Sequence, residues 1–137
     1  MILVPPPLAA ILRGNRAAGL AAAESEDSDH DPVPALKLFN PCGAATWLVT
    51  ELYEDGDTLF GLADLGFGCP ELGVFSLVEI MLVRLPFGLG IERDLGFATR
   101  HPLSVWSTTA HRLGSITAAE AALSGPAPEL PSPRRGG

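Results

Sequence analysis

The chain's main candidates for chemistry are acidic side chains gathered around one arginine. Asp64, Glu71, Glu92, Arg93 and Asp94 all fall in or beside stretches with strand character, where acids are normally depleted. If a sheet brings Asp64, Glu71 and one of Glu92 or Asp94 together, three carboxylates could hold Mg²⁺ or Mn²⁺ for phosphodiester hydrolysis. The architectural alternative is favoured. Arg93 shares one strand face with Ile91, Leu95 and Phe97, so its guanidinium is expected to be partly buried and to need a carboxylate partner. The cluster is therefore read as a salt-bridge network closing the sheet around Arg93, and no catalytic residue, metal ligand or cofactor is assigned.

The other motifs are incomplete. Gly66-x-Gly68 and Gly88-x-Gly90 do not extend to G-x-G-x-x-G, because Glu71 and Arg93 stand where the third glycine belongs. His30, His101 and His111 form no H-x-x-x-H pair. Ser76 fits a helix cap, Ser104 and Ser107 fit a helix surface, and there is no G-x-S-x-G elbow. Cys42 and Cys69 lie 27 apart with no C-x-x-C, so they cannot supply the closely spaced ligands of a zinc site. Asp27, Asp29 and Asp31 alternate as in an EF-hand loop, but Pro32 occupies the position that needs Gly, and Leu38 the one that needs Glu.

These side chains have to be positioned by a small molecule. The 137 residues suffice for one domain. The formal charge is −7, from 16 acids and 9 bases, of which Lys37 is the one lysine. Such a balance disfavours phosphate binding, which is driven by Lys and Arg. The apolar runs are broken by proline or polar residues well short of a membrane span, and MILVPPPLAAIL lacks the basic residues that open a signal peptide. The expected location is the cytoplasm.

Residues 1–23 read as a helical arm, with Pro5–Pro7 leading into Leu8, Ile11 and Leu12, Gly14 as the expected end of that first helix, and the alanine-rich Ala17–Ala23 adding a further turn or two. Residues 24–34 (ESEDSDHDPVP) read as an acidic linker. A single domain is expected over 35–114. Strands are predicted at Ala35–Phe39, Thr46–Tyr53, Thr58–Leu65, Leu72–Phe75 and Ile91–Phe97. The charged turn 54–57 makes the second and third a hairpin, in which Tyr53 faces Thr58, Glu51 Phe60, Val49 Leu62 and Trp47 Asp64. That register puts Leu48, Leu52 and Leu59 on one core-facing side. Ser76 and Glu79 form a capping box for a helix to about Leu85. Pro102 opens a second core helix that Gly114 closes. Residues 115–137 read as a weak helix, with Thr117 and Glu120 as its cap, and a disordered tail. The order predicts an α+β fold: a small, mainly antiparallel sheet of four to five strands, two core helices packed on it, and flexible termini.

The runs DPVPALKLFNP (31–41), ATWLVTEL (45–52), FGLADLGFGCPELG (60–73), Ser76-Leu77, IERDLGF (91–97) and PLSVW (102–106) resemble the bacterial family called domain of unknown function 2958. The likeness covers residues 31–114 and the start MILVP-P, without the acidic stretch or the tail. Ala63 stands where the resemblance leads one to expect Cys, and Cys42-Gly43 where an acidic or small pair is expected. The family is uncharacterised, so no functional residue carries over. Its members look like small bacterial proteins, some from mobile-element contexts, which implies an accessory role.

Three functions remain. The favoured one is a non-enzymatic domain that binds another protein, with Trp47, Tyr53 and Phe67 as exposed aromatic candidates. The second is a metal-dependent hydrolase or nuclease using the carboxylates. An acidic nucleic-acid mimic ranks last, because half of the 16 acids fall in the two loops 24–31 and 54–57. A membrane partner is not expected, and the sequence leaves the oligomeric state open.

Overall fold

The computed structural model describes residues 1–26 and 29–124. Asp27 of the EF-hand-like run and the tail from Gly125 lie outside the described residues. The fold is α+β. One antiparallel five-stranded sheet has the order β4-β3-β2-β1-β5, from β1 (Leu36–Phe39), β2 (Thr46–Leu52), β3 (Thr58–Asp64), β4 (Glu71–Ser76) and β5 (Glu92–Arg93). Helices α1 (Pro6–Glu24) and α2 (Leu77–Met81) accompany one face, and α3 (Leu103–Leu113) and α4 (Ile116–Leu123) the other.

The hairpin is where it is expected, but its register changes partway. Leu52 pairs with Leu59 and Glu51 with Phe60, as predicted for the turn end. A bulge at Thr50 then shifts the ladder, so that Val49 pairs with Gly61, Leu48 with Leu62 and Trp47 with Ala63. A bulge places two residues opposite one, and so exchanges the two faces of the strand beyond it. Trp47, Val49 and Leu52 accordingly join Leu12, Leu36, Leu38, Leu59 and Ile80 in one core. Leu48 turns the other way, with Leu62, Trp106, Ala110 and Ile116. The expected single apolar side carrying Leu48, Leu52 and Leu59 is thereby replaced by two buried faces, each with its own helices.

The bulge is held from both sides. The Thr50 hydroxyl donates to the Phe60 carbonyl at 3.3 Å, and the Asn15 side chain on α1 donates to the Thr50 carbonyl at 2.9 Å. Opposite it, a Cβ on Gly61 would stand 1.8 Å from the Leu48 carbonyl oxygen. Only glycine permits that backbone approach. Gly14 does not end α1, which continues unbroken to Glu24. The packing of Leu8 and Leu12 and the Asn15 anchor outweigh glycine's weak helix propensity of about 1 kcal/mol.

Three further elements differ from expectation. Helix α2 stops at Met81, well before Leu85, because Val83 and Leu85 turn inward against the core while Arg84 donates to the Met81 and Val83 carbonyls. Strand β5 is two residues, not seven. It ends where the Asp94 side chain accepts from the Gly96 amide at 3.0 Å, starting a local turn. Helix α4 is capped by Ser115, whose hydroxyl accepts from the Ala118 amide, and not by Thr117. The Ser76 cap on α2 and left-handed Gly114 after α3 are as predicted.

The β2–β3 turn is fastened by Asp55, which accepts from the Thr58 hydroxyl at 2.6 Å and from the Thr58 and Asp57 amides at 2.8 and 2.9 Å. Those bonds, the Thr58 hydroxyl first, hold its carboxyl down at about 2 from an ordinary 3.8. The folded form therefore binds fewer protons than the unfolded one between these values. The turn's contribution is complete above pH about 4 and is lost as pH falls through about 2. A carboxyl chemical-shift titration should put the Asp55 midpoint near 2; a midpoint near 3.8 would refute the turn. The Gly61→Ala change should cost about 3 kcal/mol or more in urea unfolding, since backbone has to move. A cost under about 1 kcal/mol would mean that the bulge is not the rigid element described.

Candidate functional site

The sheet separates the carboxylates that could have met. Asp64 ends β3, and Glu71 begins β4 opposite Ala63. Glu92, Arg93 and Asp94 lie at the far edge, on and after β5. Among the described residues no three His, Cys, Asp or Glu side chains are grouped to hold a metal ion.

Asp64, Arg93 and Asp94 are engaged separately. Asp64 is 1% exposed, and its two oxygens accept from the Gly66 amide and from the Ile116 amide at the start of α4, both at 2.9 Å. It is thus a buried helix anchor, reaching 52 residues along the chain. Arg93 is half-buried, donates from Nε to the Ile2 carbonyl at 3.4 Å, and has no ion pair among the described residues. The expected network around Arg93 is therefore not formed: an edge strand leaves its guanidinium in reach of water and of the N-terminal segment. The network centres instead on Lys37, whose ammonium lies 2.7 Å from Glu120 on α4 and 3.4 Å from Asp94. Lys37 faces Leu48 across β1 and β2, on the side covered by α3 and α4. The available signal was a lone lysine between the buried Leu36 and Leu38.

The histidines are engaged separately. His30 Nε2 is 3.1 Å from Glu51, and rests so close to Gly19 that a Cβ there would stand 2.7 Å away. His101 Nε2 is 3.3 Å from the Leu123 carbonyl oxygen, and His111 Nδ1 is 3.1 Å from that of Ser107. Ser104 is bound through its amide and its hydroxyl to Asp31. These contacts hold segments together, and among the described residues none of the three imidazoles is hydrogen-bonded to a serine or cysteine side chain.

The three aromatic candidates divide. Trp47 is 8% exposed and belongs to the core, because the bulge turns it inward. Tyr53 lies beneath the Arg16 guanidinium, 3.7 Å from its ring centre. Phe67 alone stands in solvent, at 83% exposure. It borders an open cavity of about 260 Å³ lined by Ala63, Leu65, Cys69 and Glu71, beside the end of β4.

Among the described residues, that end belongs to the one unprotected edge of the sheet. The β5 edge is covered, since the Arg93 amide donates to the Met1 sulfur and its side chain to the Ile2 carbonyl. Among the described residues strand β4 pairs only with β3, in an unbroken register over its six residues, and it contains no lysine, proline or bulge. Those are the devices by which edges are ordinarily blunted. Leu72 and Val74 on it are 47% and 60% exposed.

The family profile described as "Protein of unknown function (DUF2958)" matches residues 3–117. The chain belongs to this family. The DUF2958 match runs from the N-terminal segment that covers β5 to the first turn of α4, and so includes α1 and the acidic stretch, which the residue likeness omitted. No curated protein and no solved structure matches the chain.

For the DUF2958 chain, removing the Asp64 anchor should be costly. The Asp64→Ala change leaves two amides without their acceptor and should lower stability by about 1–3 kcal/mol in urea. Millimolar Mg²⁺ or Mn²⁺ should leave the melting temperature of the wild type and of the variant unchanged. Metal-dependent stabilisation of the wild type alone would restore the carboxylates as ligands.

Proposed function

We propose that this DUF2958 protein is a small, non-enzymatic bacterial accessory protein that works in the cytoplasm by binding another protein along its β4 edge. The observation that carries the reading is the contrast between the two ends of the sheet: β5 is covered by Met1 and Ile2, while β4 is open and unblunted. An extended segment added beside β4 would take main-chain hydrogen bonds from the strand. Its alternate side chains would meet Leu72 and Val74. The fitting partner is an uncharged, apolar strand, since Glu71 is the only charged residue of β4. Phe67 and the adjoining cavity would receive a side chain at one end of it. Two free, exposed thiols, Cys42 and Cys69, suit a reducing compartment.

Val74→Lys tests the reading, since it adds the kind of charge that protects natural edges while leaving the core faces intact. Crosslinking in native cells should recover one stoichiometric partner with the wild type and at least tenfold less with Val74→Lys. Amide exchange in the isolated complex should show new protection in β4. Recovery of the bare chain, or equal capture by the variant, would refute strand addition.

A further inference from the structure

A second surface, sharing no residue with β4, carries its own signal. Between α2 and β5 the chain makes a tight turn at Pro86-Phe87-Gly88-Leu89, closed by the Leu89 amide donating to the Pro86 carbonyl at 3.3 Å. Both central residues have positive φ, 64° at Phe87 and 72° at Gly88, as in the mirror-image type I′ turn that favours Asn-Gly. A phenylalanine in the first of these places is strained. It gains no burial in return, because Phe87 is 96% exposed, the most exposed large apolar side chain described. Among the described residues this strained ring has no apolar cover.

The same turn borders a receptacle. Gly88 and Leu89 join Met1, Leu3, Met81 and Ile91 around an open cavity of about 420 Å³, of the size that takes small organic groups. A projecting ring thus stands beside a hole with room for such a ring, which is the arrangement a two-fold interface requires: each copy supplies both halves. We propose that this face is the self-association surface of the protein, with Phe87 of one copy seated in the cavity of a second copy and the exchange repeated about the axis.

Two further observations select a second copy as the occupant. Val78, Met81, Leu82, Phe87 and Leu89 are 51%, 56%, 62%, 96% and 37% exposed. Together they expose on the order of 600 Å² of apolar surface, the upper end of what monomers carry. That is most of the about 800 Å² that each partner buries in a stable interface. The charges are also complementary. Arg84 precedes the turn and Glu92 lines the cavity, and neither has an ion pair among the described residues. The two-fold exchange brings each arginine toward the other copy's glutamate.

Sedimentation equilibrium of the full chain from about 1 to about 500 μM tests this, in about 0.15 M salt so that the net charge of −7 is screened. The wild type should dimerise with a dissociation constant under about 100 μM. Phe87→Asn suits the turn better, so it should fold with an undiminished melting temperature and dimerise at least tenfold more weakly. Arg84→Glu and Glu92→Arg should each weaken the dimer, and the double variant should recover it. A wild type that stays monomeric throughout, or a Phe87→Asn protein that dimerises unchanged, overturns the proposal. Loss of the dimer in Val74→Lys with retention in Phe87→Asn moves the contact to the β4 edge, and equally overturns it. Failure of partner capture at β4 leaves this prediction standing, so the two proposals fail separately.

Discussion

The extra residue at Thr50 is the constraint on which the rest of the architecture depends. Alternation along β2 would otherwise send Leu48 and Leu52 to the same side, leaving the other with a mixture of acids and aromatics. By exchanging the faces midway, the bulge lets Trp47, Val49 and Leu52 pack toward α1 while Leu48 packs toward Trp106 on α3. Both sides of the sheet then need helical cover, and the chain supplies two helices to each. The cost of the bulge is a carbonyl out of register and a close backbone approach. Asn15 of α1 meets the first and Gly61 of β3 the second. The N-terminal helix is for this reason an integral part of the core.

The acids serve largely to fasten helices to distant segments. Three aspartates from outside a helix bind the amides of its first turn: Asp57 the Val78 amide of α2 at 2.7 Å, Asp31 the Ser104 amide of α3 at 3.0 Å, and Asp64 the Ile116 amide of α4 at 2.9 Å. Each joins a loop or strand end to a distant helix, and each places negative charge at the positive end of a helix dipole. Lys37 gathers Glu120 and Asp94 in the same spirit. The acidity that first suggested metal chemistry is in large part joinery between segments far apart in the chain. The joinery leaves apolar surface exposed at the β4 edge and at the Phe87 turn.

The sequence made legible what is local. The β2–β3 hairpin follows from two apolar runs around a four-residue charged turn, the Ser76 cap from its spacing to Glu79, and the end of α3 from Gly114. The register of the turn end, Glu51 with Phe60, follows from loop length. Where expectation failed, the deciding group lay far away in sequence. Gly14 was expected to stop α1, but Asn15 is anchored 35 residues on, at Thr50. Alternation alone predicts a long β5, whereas only Glu92 and Arg93 have partners on β1. Arg93, at the edge, donates to the Ile2 carbonyl and does not require the carboxylate that strand alternation predicts.

By itself, then, the amino-acid sequence determined the α+β class, the antiparallel order of hairpin and following strand, the family resemblance, and the absence of complete catalytic motifs. These are properties of periodicity, turn chemistry and spacing, which act over a few residues. Tertiary structure alone decided that the sheet is covered on both faces, that Lys37 and not Arg93 holds the ionic network, that Trp47 is core, and which sheet edge is open. Each of these depends on a cross-strand shift of one residue, or on a partner dozens of residues away. Side-chain pattern along a single strand carries no information about either.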